Sequence, residues 1–147
     1  MCKDYFTFFS IFLFIIVSCS TESLETEDIQ NFTSKFKDQV WIEENSNSNY
    51  SFYRQFDEKK ITSIENYNGN ISCDIFNYGE LINGEKYDLV ENSQNKLILK
   101  VTEDIDGQIT EYLMTVSIIE NEKLKIEFSN EPSGTEFYLK YNENINC

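Results

Sequence analysis

Cysteine is the residue of this 147-residue sequence with the most distinctive chemistry, and it occurs at Cys2, Cys19, Cys73 and Cys147. A thiol can form a disulfide, bind a metal or take part in redox exchange, and the spacing of the cysteines indicates which. No two of them form a CxxC pair, and the sequence contains no histidine. We therefore expect no closed zinc site, and we predict neither a metal nor a cofactor.

The amino-terminal segment has the pattern of an export signal. Phe6–Val17 is almost entirely apolar, too short for a membrane span of ~20 residues but suited to the core of a secretory signal. The four residues Ile16–Cys19 end this run and resemble the lipobox of bacterial lipoproteins. The resemblance implies that residues 1–18 are a signal peptide, that Cys19 is lipidated and anchors the chain in the membrane, and that residues 19–28 form an acidic tether. An ordinary signal peptide with an incidental cysteine, or a buried strand, is the alternative.

The two remaining cysteines have a different expected role. If the signal peptide is removed and Cys19 carries the lipid, then Cys73 and Cys147 are the thiols left in an exported chain. An even pair in an oxidising compartment favours one disulfide. It would tie the last residue to the middle of the domain and contribute up to ~4 kcal/mol. Two free thiols are the alternative.

Motifs for catalysis are not found in this sequence. It contains no nucleophile elbow, phosphate loop, dinucleotide-binding fingerprint or zinc signature. The segment DIDG, Asp104–Gly107, begins like a calcium loop, but Thr115 and Val116 stand where an EF-hand places its last ligand, so we predict a hairpin turn. The other carboxylates lie mainly in predicted turns, whereas a glycosidase pair needs a cleft. We predict no catalytic residue and no enzymatic activity.

The composition excludes further classes of function. Acidic residues outnumber basic ones 26 to 12, and the net charge of −14 argues against binding to nucleic acid. The absence of histidine removes the most common general base. The expected partners are the membrane, through the lipid, and either a small ligand or an envelope protein.

One short helix is predicted at the start of the folded part. Ile29, Phe32, Phe36 and Val40 have the spacing of an amphipathic helix, with Thr26 as the expected N-cap. After Val40 the period changes to two.

The rest of the chain has the pattern of β-strands separated by Asn, Asp, Gly and Ser clusters. Consecutive strands joined by short turns pair antiparallel, and closure into a barrel removes the unpaired edges. We predict an all-β, antiparallel meander of eight to nine strands closed into a barrel, with a sandwich as the alternative. The runs are Val40–Glu43, Tyr50–Phe56, Ile61–Tyr67, Ile71–Tyr78, Tyr87–Glu91, Leu97–Thr102, Ile109–Ile119, Leu124–Phe128 and Phe137–Tyr141.

Alternation along these strands predicts which residues share an apolar face. The predicted sets are Phe52 and Phe56; Ile71, Cys73 and Ile75; Leu97, Leu99 and Val101; Tyr112, Met114, Val116 and Ile118; Leu124, Ile126 and Phe128; and Phe137, Leu139 and Tyr141.

The order of these features resembles a known class of domain. FKDQVW leads into the first strand, DIDG makes a turn, YLMTVSIIENEKLKIEF makes a hairpin, and TEFYLKY is the final aromatic strand. The pattern, from about Ile29 to Asn142, resembles the small lipocalin-like domains of bacterial lipoproteins, especially those of Bacteroidetes. The resemblance implies a lipocalin-like β-barrel domain over residues 29–147, held at the bacterial outer membrane by its lipid.

A barrel of about eight strands is wide enough to be filled by its own side chains or to hold one small molecule. Our leading hypothesis is a non-enzymatic envelope protein that binds a small apolar ligand or a protein partner. A ligand would contact Phe52, Phe56, Tyr112 and Met114. The alternative is an inhibitor or accessory subunit that acts through its loops on a filled barrel, because PSGTEFY, Pro132–Tyr138, resembles a Ser-Gly loop of membrane-bound lysozyme inhibitors.

Overall fold

The computed structural model describes residues 30–119, 123–143, 145 and 147, so the predicted signal peptide, Cys19 and the acidic tether lie outside the described residues. The described chain folds into one helical turn and ten strands, which form a single sheet. The elements are α1 (Phe32–Lys35), β1 (Val40–Glu43), β2 (Tyr50–Phe56), β3 (Lys60–Tyr67), β4 (Asn70–Asn77), β5 (Leu81–Ile82), β6 (Glu85–Asn92), β7 (Lys96–Ile105), β8 (Gln108–Ile119), β9 (Lys123–Phe128) and β10 (Glu131–Tyr141).

The sheet is an antiparallel meander in the order β4-β3-β2-β1-β10-β9-β8-β7-β6-β5. Pairing of β1 with β10 joins the two ends of the meander, with Val40 opposite Tyr141. The strands β4 and β5 are the edges, and the rings of Phe76 on β4 and Tyr87 on β6 lie 5.1 Å apart across the gap between them. The sheet is therefore nearly closed into a barrel. The all-β prediction is confirmed, and the additional strand is the two-residue β5.

Three tight hairpin turns are formed by an asparagine or aspartate followed by a glycine. Both residues of each turn have positive φ, which glycine tolerates and which matches the twist of the flanking strands. The turns are Asn68-Gly69, Asn83-Gly84 and Asp106-Gly107. The last belongs to DIDG, in which the Gly107 amide donates a hydrogen bond of 3.0 Å to the Asp104 carboxylate. The segment is a hairpin turn, as predicted.

The helix is shorter than its periodicity predicts. Asn31 is its N-cap, with the side-chain oxygen accepting from the Ser34 amide, and the helix ends after Lys35. Asp38 adopts a left-handed conformation with φ of 63°, and β1 begins two residues later. The described helix begins at Phe32, and Thr26, the predicted N-cap, lies outside the described residues. Among the described residues, no helix has the length and apolar composition of a membrane-spanning segment.

One half of the barrel interior, here called the filled end, is closed by α1. The Phe32 amide donates a 2.7 Å hydrogen bond to the Ser93 carbonyl oxygen, which holds α1 to the turn between β6 and β7. The side chains packed there are apolar and fully buried: Phe32, Trp41, Phe56, Ile61, Leu97, Leu99, Val116, Leu124 and Ile126. Burial of this much apolar surface is the main source of the barrel's stability.

A second, smaller apolar cluster lies on the outside of the barrel. Val40, Tyr53 and Ile64 are buried there and pack against Ile145 of the carboxyl-terminal tail. A disulfide joins Cys73 on β4 to Cys147 and holds this tail against the sheet. The predicted pairing of these cysteines is thus present.

Two of the predicted apolar faces are wrong, and both lie on strands that contribute to this outer cluster. On β4, Ile71 and Ile75 are exposed at 52% and 42%, while Phe76 is buried in the interior. On β10, Leu139 is exposed at 43% and Tyr138 is fully buried. Cys73 and Tyr141, which share the outer face with these exposed residues, pack in the outer cluster. Apolar residues therefore occur on both faces of β4 and β10, and alternation alone predicted the wrong face.

Candidate functional site: a polar cavity in the barrel

The other half of the barrel interior, here called the polar end, contains a cavity of about 280 Å³. It adjoins a further space of about 260 Å³ that shares three of its lining residues, Glu103, Tyr112 and Phe128. The walls come from seven strands, β2, β3, β4, β6, β7, β8 and β9. Because inward-facing side chains from all these strands converge there, the cavity is the best candidate for a ligand site.

Three of the four predicted ligand-contacting residues line this cavity. Phe52 reaches it from β2, and Tyr112 and Met114 reach it from β8. The fourth, Phe56, is fully buried at the filled end, with its ring 6.0 Å from that of Phe32. Phe56 belongs to the core and is not a cavity residue. Alternation places Phe52 and Phe56 on the same face but does not show at which end of the barrel the interior is open.

Arg54, the only arginine of the sequence, lies between these two phenylalanines on the inner face of β2. Its Nε donates a 3.1 Å hydrogen bond to the hydroxyl of Tyr138, and its Nη2 is 3.8 Å from Glu136. Its guanidinium lies over the ring of Phe52, 5.0 Å from the ring centre. Only 12% of the Arg54 side chain is exposed. Arg54 is not among the predicted site residues, although its position two residues from Phe52 and from Phe56 places it on the same face.

Pairs of tyrosine and glutamate recur around the cavity. The hydroxyl of Tyr138 donates to Glu136 at 2.8 Å, and that of Tyr87 donates to Glu85 at 2.6 Å. In both pairs the residues are two apart on one strand, so they share a face. A third pair, Tyr112 with Glu103, joins β8 to β7. The signal in the sequence for the first two pairs is the Glu-x-Tyr spacing of EKY and EFY, which puts both residues of a pair on one face of a strand.

The hydroxyls of these tyrosines remain donors at neutral pH. Burial raises the pKa of Tyr87, and its hydrogen bond to Glu85 raises it further. The pKa of Tyr112 is raised by burial and then by Glu103. Burial likewise raises the pKa of Tyr138, against the opposing effect of Arg54. A neutral phenol that donates to a carboxylate fixes the position of that carboxylate in the cavity wall.

The electrostatic character of the cavity is acidic. Among the described residues that line it, four carry carboxylates, Glu65, Asp74, Glu85 and Glu103, and only Arg54 is basic. Burial and the nearby Glu136 also raise the pKa of Glu43 on β1, with Arg54 opposing them. Among the described residues, no group of three or more histidine, cysteine, aspartate or glutamate side chains is arranged to hold a metal ion.

Backbone contacts fix the positions of two of these carboxylates. Glu85 is the first residue of β6 and lies directly opposite Glu103 of β7 in the antiparallel register. The Asp104 amide donates a 2.7 Å hydrogen bond to the Gly84 carbonyl oxygen just before Glu85. A Cβ at Gly84 would lie 2.8 Å from the carbonyl oxygen of Asp104, so only glycine permits this close approach.

A second depression, of about 400 Å³, lies near Tyr78. Five of its six lining residues are exposed, and the four polar ones are Glu58, Lys59, Asn77 and Glu80. It lacks the enclosing aromatic walls of the barrel cavity, so it is the weaker candidate.

No family model matches this chain, and searches of the curated proteins and of the solved structures find no match either.

Proposed function

We propose that this chain is a lipid-anchored protein of the bacterial outer membrane that binds a small polar molecule in the cavity of its barrel. The single observation that supports binding is the cavity of about 280 Å³, where aromatic rings and convergent charged groups meet. The lipid anchor is supported by Ile16–Cys19, which follows the apolar run of residues 6–17. We propose a binding protein and not an enzyme.

The lining of the cavity changes the class of ligand that we expect. A small apolar ligand would suit walls of aliphatic and aromatic side chains alone. Here Arg54 and four carboxylates share the walls with the aromatic rings, and burying them against an apolar ligand would remove their hydration without replacing it. A ligand with its own polar groups is therefore favoured.

An inhibitor or subunit that acts through its loops has less support. In the segment Pro132–Tyr138, the residue that resembles the tyrosine of lysozyme inhibitors is Tyr138. That side chain is fully buried in the barrel, where it accepts a hydrogen bond from Arg54. It is therefore not available for contact with a protein partner.

The anchor can be tested by metabolic labelling of the full chain with an alkyne fatty acid. We expect label on the wild-type protein and none on Cys19→Ala. An unlabelled wild type, or a labelled Cys19→Ala protein, would refute the lipid anchor.

The cavity can be tested with a library of small cationic, anionic and neutral molecules, using amide chemical shifts of the full chain in detergent. The substitution Ser63→Phe would fill the cavity, because Ser63 is a small residue in its lining. Its matched control is Ser117→Phe on the outer face of β8, between the inward-facing Val116 and Ile118. We expect at least one compound to shift the amides of cavity residues, with binding lost in Ser63→Phe and retained in Ser117→Phe. If no compound shows this difference, the cavity is not a binding site.

A further inference from the structure

Two carboxylates of the cavity stand directly opposite each other on neighbouring strands. Glu85 and Glu103 are register partners on β6 and β7, and both line the cavity. Like charges at directly opposed positions of an antiparallel pair destabilise it. In the part of the chain that the structure describes, neither carboxylate has a lysine or arginine within ion-pair distance, whereas Glu111 on the outer face is paired with Lys100 at 2.7 Å.

Each of these two carboxylates is held by a tyrosine. Tyr87 donates to Oε2 of Glu85, and Tyr112 donates to Oε1 of Glu103. An ionised carboxylate has two acceptor oxygens, so each glutamate retains an oxygen that can accept from a ligand. The hydrogen bonds to tyrosine therefore orient the pair and leave it able to bind a donor.

Aromatic rings surround the same place. The rings of Tyr112 and Phe128 are 6.0 Å apart in an edge-to-face arrangement, and both line the cavity. Tyr87 lines it too, with its ring against that of Phe76. The faces of aromatic rings attract cations, and aromatic cages bind ammonium groups in this way. The volume of about 280 Å³ is far larger than a single metal ion needs, which favours an organic ligand.

The opposite wall shows how this interior stabilises a positive charge. The guanidinium of Arg54 is held by the hydroxyl of Tyr138, the carboxylate of Glu136 and the ring of Phe52. The wall that contains Glu85 and Glu103 has the same three kinds of group. Since the charge of Arg54 is already compensated by Glu136, an anionic ligand would meet an excess of carboxylates.

We infer that the ligand is a small organic cation, whose ammonium or guanidinium group binds between Glu85 and Glu103 and whose carbon skeleton contacts Tyr87, Tyr112 and Phe128. This inference rests on the proposed binding function of the cavity.

Three probes of matched size test the inference: benzylammonium, benzoate and benzyl alcohol, titrated calorimetrically into the full chain in a non-ionic detergent at neutral pH. We expect benzylammonium to bind about tenfold more tightly than the other two, because only it can form charge-assisted hydrogen bonds to the carboxylates. Added salt should weaken its binding.

The variants Glu85→Gln and Glu103→Gln keep the shape of each side chain and remove its charge. Each should weaken benzylammonium binding about tenfold. The matched control, Glu111→Gln, removes a charge from the outer face of the neighbouring strand and should change the affinity by less than about twofold. The melting temperature of the free protein should rise in Glu85→Gln and in Glu103→Gln, since the repulsion between the pair is relieved.

The outcomes separate this inference from the proposed function. One contrary outcome is that benzoate or benzyl alcohol binds and loses that binding in Ser63→Phe, while benzylammonium does not bind at all. In that case the cavity binds a ligand, but the inference of a cation is wrong. Unchanged benzylammonium affinity in both glutamine variants would equally overturn it. If none of the probes or library compounds binds in a manner sensitive to Ser63→Phe, both proposals are refuted.

Discussion

The filled end and the polar end of the barrel are built from the same strands, but their inward-facing side chains differ in kind. Along β3, the inner face passes from Ile61 at the filled end through Ser63 to Glu65 at the mouth of the cavity. Along β7, it passes from Leu97 through Val101 to Glu103. Period-two alternation is the same in both halves, so the change lies in the chemistry of the inner face.

This difference indicates a division of roles along the barrel axis. Apolar burial at the filled end supplies the free energy that holds the strands in register. The polar end carries opposed carboxylates and a largely buried arginine, which a protein selected only for stability would replace with apolar residues. Residues that reduce stability tend to be retained where they serve binding.

The largest expected effect is at two phenylalanines on the inner face of β2, which together test the division of roles between the two ends. Phe56→Ala at the filled end should reduce the free energy of unfolding by about 3–5 kcal/mol, because it leaves a cavity among fully buried neighbours. Phe52→Ala at the polar end should cost less than about 2 kcal/mol, since its ring is only partly buried. Denaturant unfolding of the full chain, with the disulfide intact, measures both values. Equal losses would contradict the division.

The next largest effect concerns the outer cluster and the disulfide that holds the tail residue Ile145 near it. Replacing Cys73 and Cys147 with serine should lower the free energy of unfolding by about 2–4 kcal/mol, because the unfolded chain is no longer constrained. The tail residue Ile145 should also lose its contacts with the cluster of Val40, Tyr53 and Ile64.

Denaturant unfolding with and without a reductant checks this expectation. The reductant should destabilise the wild-type chain and leave the double serine variant unaffected. A wild-type protein that is indifferent to the reductant would show that the cross-link contributes nothing to stability.

The strands differ in how well their inner faces could be predicted from the sequence. On β7, β8 and β9 the outer face meets solvent and the inner face is largely apolar. Alternation therefore identified the inner residues correctly, among them Leu99, Val116 and Ile126. On β4 and β10 the inner face carries Asp74 and Glu136, while the tail covers part of the outer surface, so the contrast between the faces is lost.

The candidate site was predictable in part. Phe52, Tyr112 and Met114 were found because aromatic and apolar residues at alternate positions predict the inside of a barrel. The charged members, above all Arg54, were not predicted, because alternation identifies an inner face by its apolar residues and charged residues are mostly exposed. The pairing of Glu85 with Glu103 depends on the close approach of two hairpins at Gly84, which residue spacing along the chain does not show.

The smallest expected effect is a pH dependence at the polar end. Burial, Glu136 and the opposing influence of Arg54 leave the pKa of Glu43 higher in the folded state than in the unfolded chain. The folded protein therefore binds this proton more readily, so ionised Glu43 destabilises the fold above its folded pKa, and the penalty disappears below its unfolded pKa. Glu43→Gln should raise the melting temperature slightly at pH 7, and the gain should shrink as the pH falls through the carboxylate range.

Melting curves of the wild type and Glu43→Gln over that pH range measure this difference, with Glu44→Gln as the control. Glu44 is the next residue and pairs with Lys123 on the outside of the barrel, so its loss should not stabilise the protein at any pH. If both variants behave alike, the effect comes from the net charge of the chain, because each removes one negative charge from a molecule of net charge −14. A gain confined to Glu43→Gln at neutral pH would instead locate the excess of negative charge inside the polar end, where a cationic ligand would relieve it.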